Sequence, residues 1–275
     1  MISTDKKYQN GSKKKVVIAI GGNAILQKNQ IGTYKEQQKN IQKIAKSIAS
    51  IVLGKHLYKI SAITHGNGPQ VGNILLQQEY TKKVPKLPMH TAVAMTQGQI
   101  GYMLQQALQN EFKKLKKDRK IVSLITQTVV AKKNSKLVQS FPSKPIGPYF
   151  TELEVKKLRK NTNQIFRKVK PAGVKMWRRV VPSPKPLEIV EVDIIKQFAE
   201  DSCLLIAGGG GGIPVIKNGS GLVGVNCVID KDHSASLLAK SIKASVLLLL
   251  TDIDKVKLNY GKSDESDLDV VTVKN

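Results

Sequence analysis

Short apolar runs alternate with amphipathic stretches along most of this chain. Residues 16–20 (VVIAI) are continuously apolar, the pattern of a strand buried on both faces. Between 35 and 53, Ile41, Ile44, Ala45, Ile48, Ile51 and Val52 recur at helical spacing, and Gly54 is placed to cap that helix. Residues 60–64 read as a second strand, followed by a helix ending near Glu79. A helix over 91–112 and a strand over 121–125 come next. Strand, glycine loop and helix return with a strand at 203–207, a helix at 231–242 and a strand at 246–250. Strands alternating with helices predict an α/β fold, with a mainly parallel sheet covered by helices on both faces.

Two segments depart from this rhythm. Residues 1–14 are polar and read as a tail. Residues 127–182 are rich in lysine, proline and polar residues, and read as an inserted subdomain or lid. The chain therefore divides into a tail (1–14), an N-terminal lobe (15–126), the insertion (127–182) and a C-terminal lobe (183–275).

Composition narrows the class. A chain of 275 residues with 41% hydrophobic content can bury a substantial core, as one large domain or two lobes. Its longest apolar stretch, 244–250, is interrupted by Ser245 and is too short to span a bilayer. The first residues lack the apolar core of a signal peptide. Cys203 and Cys227 lie in apolar runs and read as buried small side chains, so neither a disulfide nor a metal site is expected. A cytoplasmic protein without membrane attachment is the expectation. The formal net charge of +25 is concentrated at 13–15, 113–120, 156–160 and 167–170. Such charge attracts polyanions, or simply solvates helix faces. With no nucleic-acid module signature and 5% aromatic residues, specific nucleic-acid binding is not expected. Anionic substrates are drawn in under either reading.

The chemistry concentrates in glycine turns and isolated charges. Lys231 stands between Asp230 and Asp232 where a predicted helix begins. A lysine there opposes the helix dipole, which makes sense if an anion sits with it. Upstream, five glycines at 208–212 follow a predicted strand and can bring backbone N–H groups against phosphate oxygens. Taken singly, each has a plainer reading: an Asp N-cap and a flexible loop. But three glycine turns, at 21–22, 66–72 and 208–212, all follow predicted strands. In a parallel sheet that is the ligand-binding end, and a large polyphosphate ligand follows. The chain has no P-loop sequence, dinucleotide fingerprint, HExxH or G-x-S-x-G elbow. Phosphoryl transfer remains, since it needs cations and N–H donors around the moving group and little covalent chemistry from the protein. Lys144 and Lys231 are the candidate cations, Asn23 and the glycine backbones the neutral donors, and Asp232 the group that keeps Lys231 protonated.

Eight segments in order resemble the motif set of carbamate kinases, in the amino acid kinase superfamily. They are GGNA (21–24), HGNGPQVG (65–72), MTQGQIGY (95–102), PSKPIGP (142–148), WRRVVPSP (177–184), AGGGGGIPV (207–215), VIDKD (228–232) and LTDID (250–254). The resemblance implies a three-layer α/β/α sandwich around a mainly parallel eight-stranded sheet, with a small subdomain projecting over the cleft. It implies reversible transfer between ATP and carbamate, giving ADP and carbamoyl phosphate, with Mg2+. It further implies a homodimer and, in many relatives, ATP formation at the close of the arginine deiminase pathway.

Carried over by residue, Gly21, Gly22 and Asn23 meet the transferring phosphoryl group, and His65, Gly66, Asn67 and Gly68 form the carbamate pocket, largely through backbone donors. Lys144 is the lid lysine. Lys231 stabilises the transition state and Asp232 orients it. Gly208, Gly209, Gly210 and Gly211 line the phosphate side of the nucleotide site, with Thr251 and Asp252 near ribose and adenine. No metal ligand is expected from the protein. The sequence departs from the pattern at His90 and Lys257, in the acid-poor stretch 131–136, and in stopping at Asn275 where relatives continue into a lysine-bearing loop. Weak activity, or a truncated paralogue that keeps the fold and binds nucleotide or polyanions, is the alternative expectation.

Overall fold

A computed structural model describes residues 13–27, 30–54, 58–81, 83–132, 141–170, 173–201, 203–251, 255–259 and 262–272. In chain order the first half holds β1 (Lys14–Ile20), α1 (Gly22–Ile25), α2 (Tyr34–Leu53), β2 (Tyr58–His65), α3 (Gly68–Tyr80), α4 (Met89–Lys114), β3 (Ile121–Ser123) and β4 (Gln127–Val130). Then come β5 (Lys144–Phe150), α5 (Glu152–Asn161), β6 (Ile165–Lys168), β7 (Trp177–Val181), β8 (Pro186–Ile189), α6 (Val192–Glu200) and β9 (Leu204–Ile206). The chain continues with β10 (Ile213–Asn218), β11 (Gly221–Gly224), α7 (Lys231–Ser241), β12 (Val246–Leu250), β13 (Val256–Leu258) and β14 (Ser266–Leu268).

The central sheet has the order β12-β1-β2-β9-β3, and every pairing in it is parallel. Its two faces bury alternate residues. Val16, Ile18 and Ile20 pack with Ile41, Ile48, Leu104 and Leu108 of α2 and α4. Val17, Ala62 and Leu205 pack on the opposite face with Ile195 and Leu238 of α6 and α7. Period-two alternation in strands covered on both sides thus produces the three layers. Parallel pairing also puts the ends of β1, β2 and β9, with their glycine turns, on one edge of the sheet.

Several local expectations change. The end of α2 at Gly54 is extended (φ −60°, ψ 150°), so it does not use glycine's left-handed freedom. The strand expected at 121–125 stops at Ser123, and the one at 203–207 spans only 204–206. Among the described residues the strands form four sheets, of five, four, three and two strands, not one of eight. The second, in the order β11-β10-β4-β8, continues the pair β3 and β9 past a break at Thr126 and the glycine run. Leu124 N still donates to Ile206 O (2.9 Å) and Ile213 N to Thr126 O (2.8 Å), so the two segments turn together. Gln127–Val130 belongs to this sheet and not to a lid. Glu191 anchors it by accepting from the Gln127 backbone N–H (2.7 Å) and side-chain amide (3.0 Å).

The antiparallel sheet β5-β7-β6 forms a separate unit within 144–181. It docks on α3 where Gly72 and Gly147 meet backbone to backbone. A Cβ on Gly72 would lie 2.0 Å from Gly147 N, so only glycine permits this approach. A partly buried pair, Arg179 to Glu79 at 3.2 Å, ties the sheet to the far end of α3.

Candidate active site

The ends of β1 and β2 build the floor. Gly21 N donates to Leu250 O (2.7 Å) and Gly66 N to Ile20 O (2.8 Å), which extends the sheet's hydrogen bonding one residue past each strand. Above this floor lies a cleft of about 220 Å³. It is lined by Gly21, Gly22 and Asn23 from the first turn, and by Gly66, Asn67 and Gly68 from the second. Lys144, Gly210, Lys231 and Thr251 complete the predicted residues brought together there. Asp252 lies outside the described residues.

Two lysines enter the cleft, each held by a carboxylate. Lys231 opens α7, and its Nζ lies 2.6 Å from Asp232 Oδ1. Its aliphatic stem crosses the two floor turns. A Cβ on Gly66 would sit 3.2 Å from Lys231 Cδ and 3.0 Å from Gly22 N, so the bare backbone leaves the lysine room. Lys144, at the start of β5, pairs with Asp230 Oδ2. Asp230 is also the N-cap of α7, its Oδ1 accepting from Asp232 N at 2.9 Å. Burial pushes the Asp230 carboxyl up, but the Lys144 ammonium and the Asp232 N–H outweigh it and hold the group below its usual range. The DKD sequence therefore supplies one lysine and the counter-charges for two.

The glycine run does less at the cleft than expected. Gly208, Gly209 and Gly211 face the protein instead. A Cβ would meet Thr64 Oγ1 at 3.4 Å from Gly208, His65 Nε2 at 2.4 Å from Gly209, and Ile229 O at 2.7 Å from Gly211. Gly208 and Gly210 have φ of +67° and +65°, a conformation that favours glycine. The run is glycine because a tight left-handed turn packs onto buried side chains, and Gly210 is the member lining the cleft. Gln97, from the 95–102 motif, clamps this turn. Its amide donates to Gly209 O (2.9 Å) and Thr126 O (3.0 Å), and its carbonyl accepts from Thr126 N (2.8 Å).

His65 and Asn67 also turn inward. The His65 ring is buried under Gly209, and its Nδ1 donates to Gly66 O (3.1 Å). Burial pulls its pKa down to about 4, so it is neutral at pH 7. The Asn67 side chain donates to Thr96 Oγ1 (2.8 Å). Asn67 lines the cleft, whereas His65 does not and lies beneath the glycine turn. Sequence reasoning missed Asp230 as the partner of Lys144, since 86 residues separate them. It also missed Arg178, which lines the cleft from β7. The 177–184 motif was the available signal: two adjacent arginines in a strand that otherwise holds Trp177, Val180 and Val181.

The model of a family described as "Amino acid kinase family" matches residues 14–274. The chain belongs to the amino acid kinase family. Within it, a carbamate kinase from Thermococcus kodakarensis is 48% identical over 94% of this chain and 81% of its own length. One from Pyrococcus horikoshii is 44% identical over 92% and 79%. A structure titled "Carbamate kinase from Giardia lamblia bound to citric acid" superposes with a TM-score of 0.84, at 41% identity over 90% of this chain and 78% of that one. This amino acid kinase therefore stands on the carbamate kinase branch. The three-layer α/β architecture agrees with that placement. Among the described residues no helix is long and apolar enough to cross a membrane.

Proposed function

We propose that this chain is a carbamate kinase. It transfers the γ-phosphoryl group of ATP to a carboxylate oxygen of carbamate, breaking the β–γ P–O bond and releasing ADP and carbamoyl phosphate. The reaction runs in reverse by the same path. The observation that carries this is the cleft itself, where two carboxylate-held lysines converge with the glycine turns at the ends of β1 and β2. Those are the groups a loose, charge-spread phosphoryl transition state requires. Gly21, Gly22 and Asn23 contact the moving phosphoryl group, the 66–68 backbone holds the acceptor, and Gly210 and Thr251 face the nucleotide.

Magnesium accompanies the nucleotide in this reading. In that reading phosphate oxygens of the nucleotide supply ligands to it, as is usual for Mg2+ in phosphoryl transfer. The finer reading is a cytoplasmic homodimer working toward ATP at the end of the arginine deiminase pathway, and its support is the resemblance alone. The test is ATP formation from ADP, Mg2+ and carbamoyl phosphate, followed by a coupled assay. Sustained turnover is expected. No turnover with carbamoyl phosphate, in a folded protein that binds ADP, overturns the reading. Sedimentation analysis decides the dimer.

A further inference from the structure

The cleft contains a third cation whose circumstances differ from those of the two lysines. Arg178 projects from β7 and lines the reaction cleft. It also lines an adjoining cavity of about 390 Å³, with Asn23 and Pro69 shared between the two spaces. Its guanidinium therefore stands at the junction of both.

Lys144 has Asp230, Lys231 has Asp232, and the neighbouring Arg179 has Glu79. Arg178 has no carboxylate within ion-pairing distance among the described residues. Its Nε donates to Gly147 O (3.0 Å), and its guanidinium stacks near the Tyr149 ring at 5.2 Å. That ring already carries the Lys170 ammonium at 3.9 Å, so the surroundings add positive charge, and the Tyr149 side chain only partly offsets the burial of the guanidinium. Nη2 is buried with no hydrogen-bond partner. A buried guanidinium N–H without an acceptor is destabilising, and its persistence calls for an explanation.

Position supplies one. Nη2 lies 4.0 Å from where a Cβ on Gly68 would be, next to the α3 N-terminus. The lysines approach from the α7 and β5 sides, whereas Arg178 faces the turn assigned to the acceptor. A planar guanidinium matches a planar carboxylate, and a lysine cannot reproduce that fork.

We propose that Arg178 binds the acceptor carboxyl group, through the oxygen that is not phosphorylated. This rests on the carbamate kinase reading above. Arg178 orients the carboxyl plane so that its other oxygen faces the phosphoryl group between Lys144 and Lys231. The class of acceptor it selects is a small planar carboxylate. In the reverse direction the same fork holds the carbonyl oxygen of carbamoyl phosphate.

The experiment is steady-state kinetics in the ATP-forming direction for the wild type, R178K and R178M, with thermal melting as the check on folding. For R178M the KM for carbamoyl phosphate should rise about ten-fold or more, the loss of a charge-assisted hydrogen bond. Its KM for ADP should stay within about two-fold of wild type, since ADP makes no use of this residue. R178K should fall between, because it keeps the charge and loses the fork. A purely structural role would move both KM values together and lower the melting temperature of R178M. If R178M does not fold, the R178K comparison decides alone. Unchanged KM values, or KM values that rise together, overturn the assignment of Arg178 while leaving the kinase reading intact. Absence of turnover in the folded wild type overturns the kinase reading, and this assignment with it.

Discussion

Lys231 carries its charge on a stem that crosses Gly21 and Gly66, and its Nζ is held by Asp232 at 2.6 Å. In the proposed reading this cation acts on charge that develops during transfer more than on charge already present in bound nucleotide. Lys231→Met should therefore lower turnover about 10²–10³-fold, the usual cost of removing one such contact. ADP affinity should change far less. Turnover and ADP binding of the purified variant check this, and near-normal turnover would remove Lys231 from the catalytic set. His65 makes a second prediction at this scale. Its folded pKa is about 4, depressed by burial from 6.5, so its contribution to stability is present above pH 6.5 and is lost as pH falls toward 4. The unfolded chain takes up the proton that the native state refuses. The slope is at most about 1.4 kcal/mol per pH unit in that window. Urea midpoints measured from pH 7 to 4 should fall, and His65→Gln should flatten the decline. An equal decline in both proteins would clear His65 of this role.

At the scale of elements, the first turn of α7 joins stability to chemistry. Asp230 caps the helix and holds Lys144 across from β5. Two substitutions separate these roles. Asp230→Asn keeps a good N-cap and removes the charge, whereas Asp230→Ala removes both. Activity should fall in both variants, but only the alanine variant should lose the cap's stabilisation, about 1 kcal/mol. Chemical denaturation beside an activity assay reads both quantities. Equal stability loss in the two variants would show that the ion pair, not the cap, stabilises this turn. The small sheet of β5, β6 and β7 supplies the other element-scale expectation. It brings Lys144 and Arg178 to the cleft from outside the central layers, so ligands should draw it down. Amide hydrogen exchange across 144–181 should slow when ADP and carbamoyl phosphate are added together. Unchanged exchange throughout that span would mean that the sheet does not close.

For the molecule as a whole, the parallel sheet and its two helical layers were legible in the sequence. Continuous apolar runs of strand length and helical spacing at 41–52 are local patterns, and burial on both faces follows from them. So was the position of the site, because glycine turns after parallel strands must share one edge of the sheet. The break between the five-stranded and four-stranded sheets was not legible. It depends on Gln97 clamping the 208–212 turn against Thr126, a set of hydrogen bonds between segments far apart in the chain.

Which residue types were available for phosphoryl chemistry and, through strand and turn patterns, which of them share one edge can be read from the amino-acid order alone. Tertiary structure alone decided what each glycine is for. Gly66 makes room for Lys231, Gly209 for the His65 ring, and Gly72 for the backbone of Gly147. A glycine's letter records only the absence of a side chain, and the neighbour that needs the space comes from elsewhere in the chain. The same holds for charge. Asp230, Lys231 and Asp232 are adjacent in sequence, but that Asp230 pairs with Lys144, and that Arg178 has no carboxylate partner among the described residues, follows from where folding places β5 and β7. Electrostatic partnership depends on distance in space, and folding sets that distance.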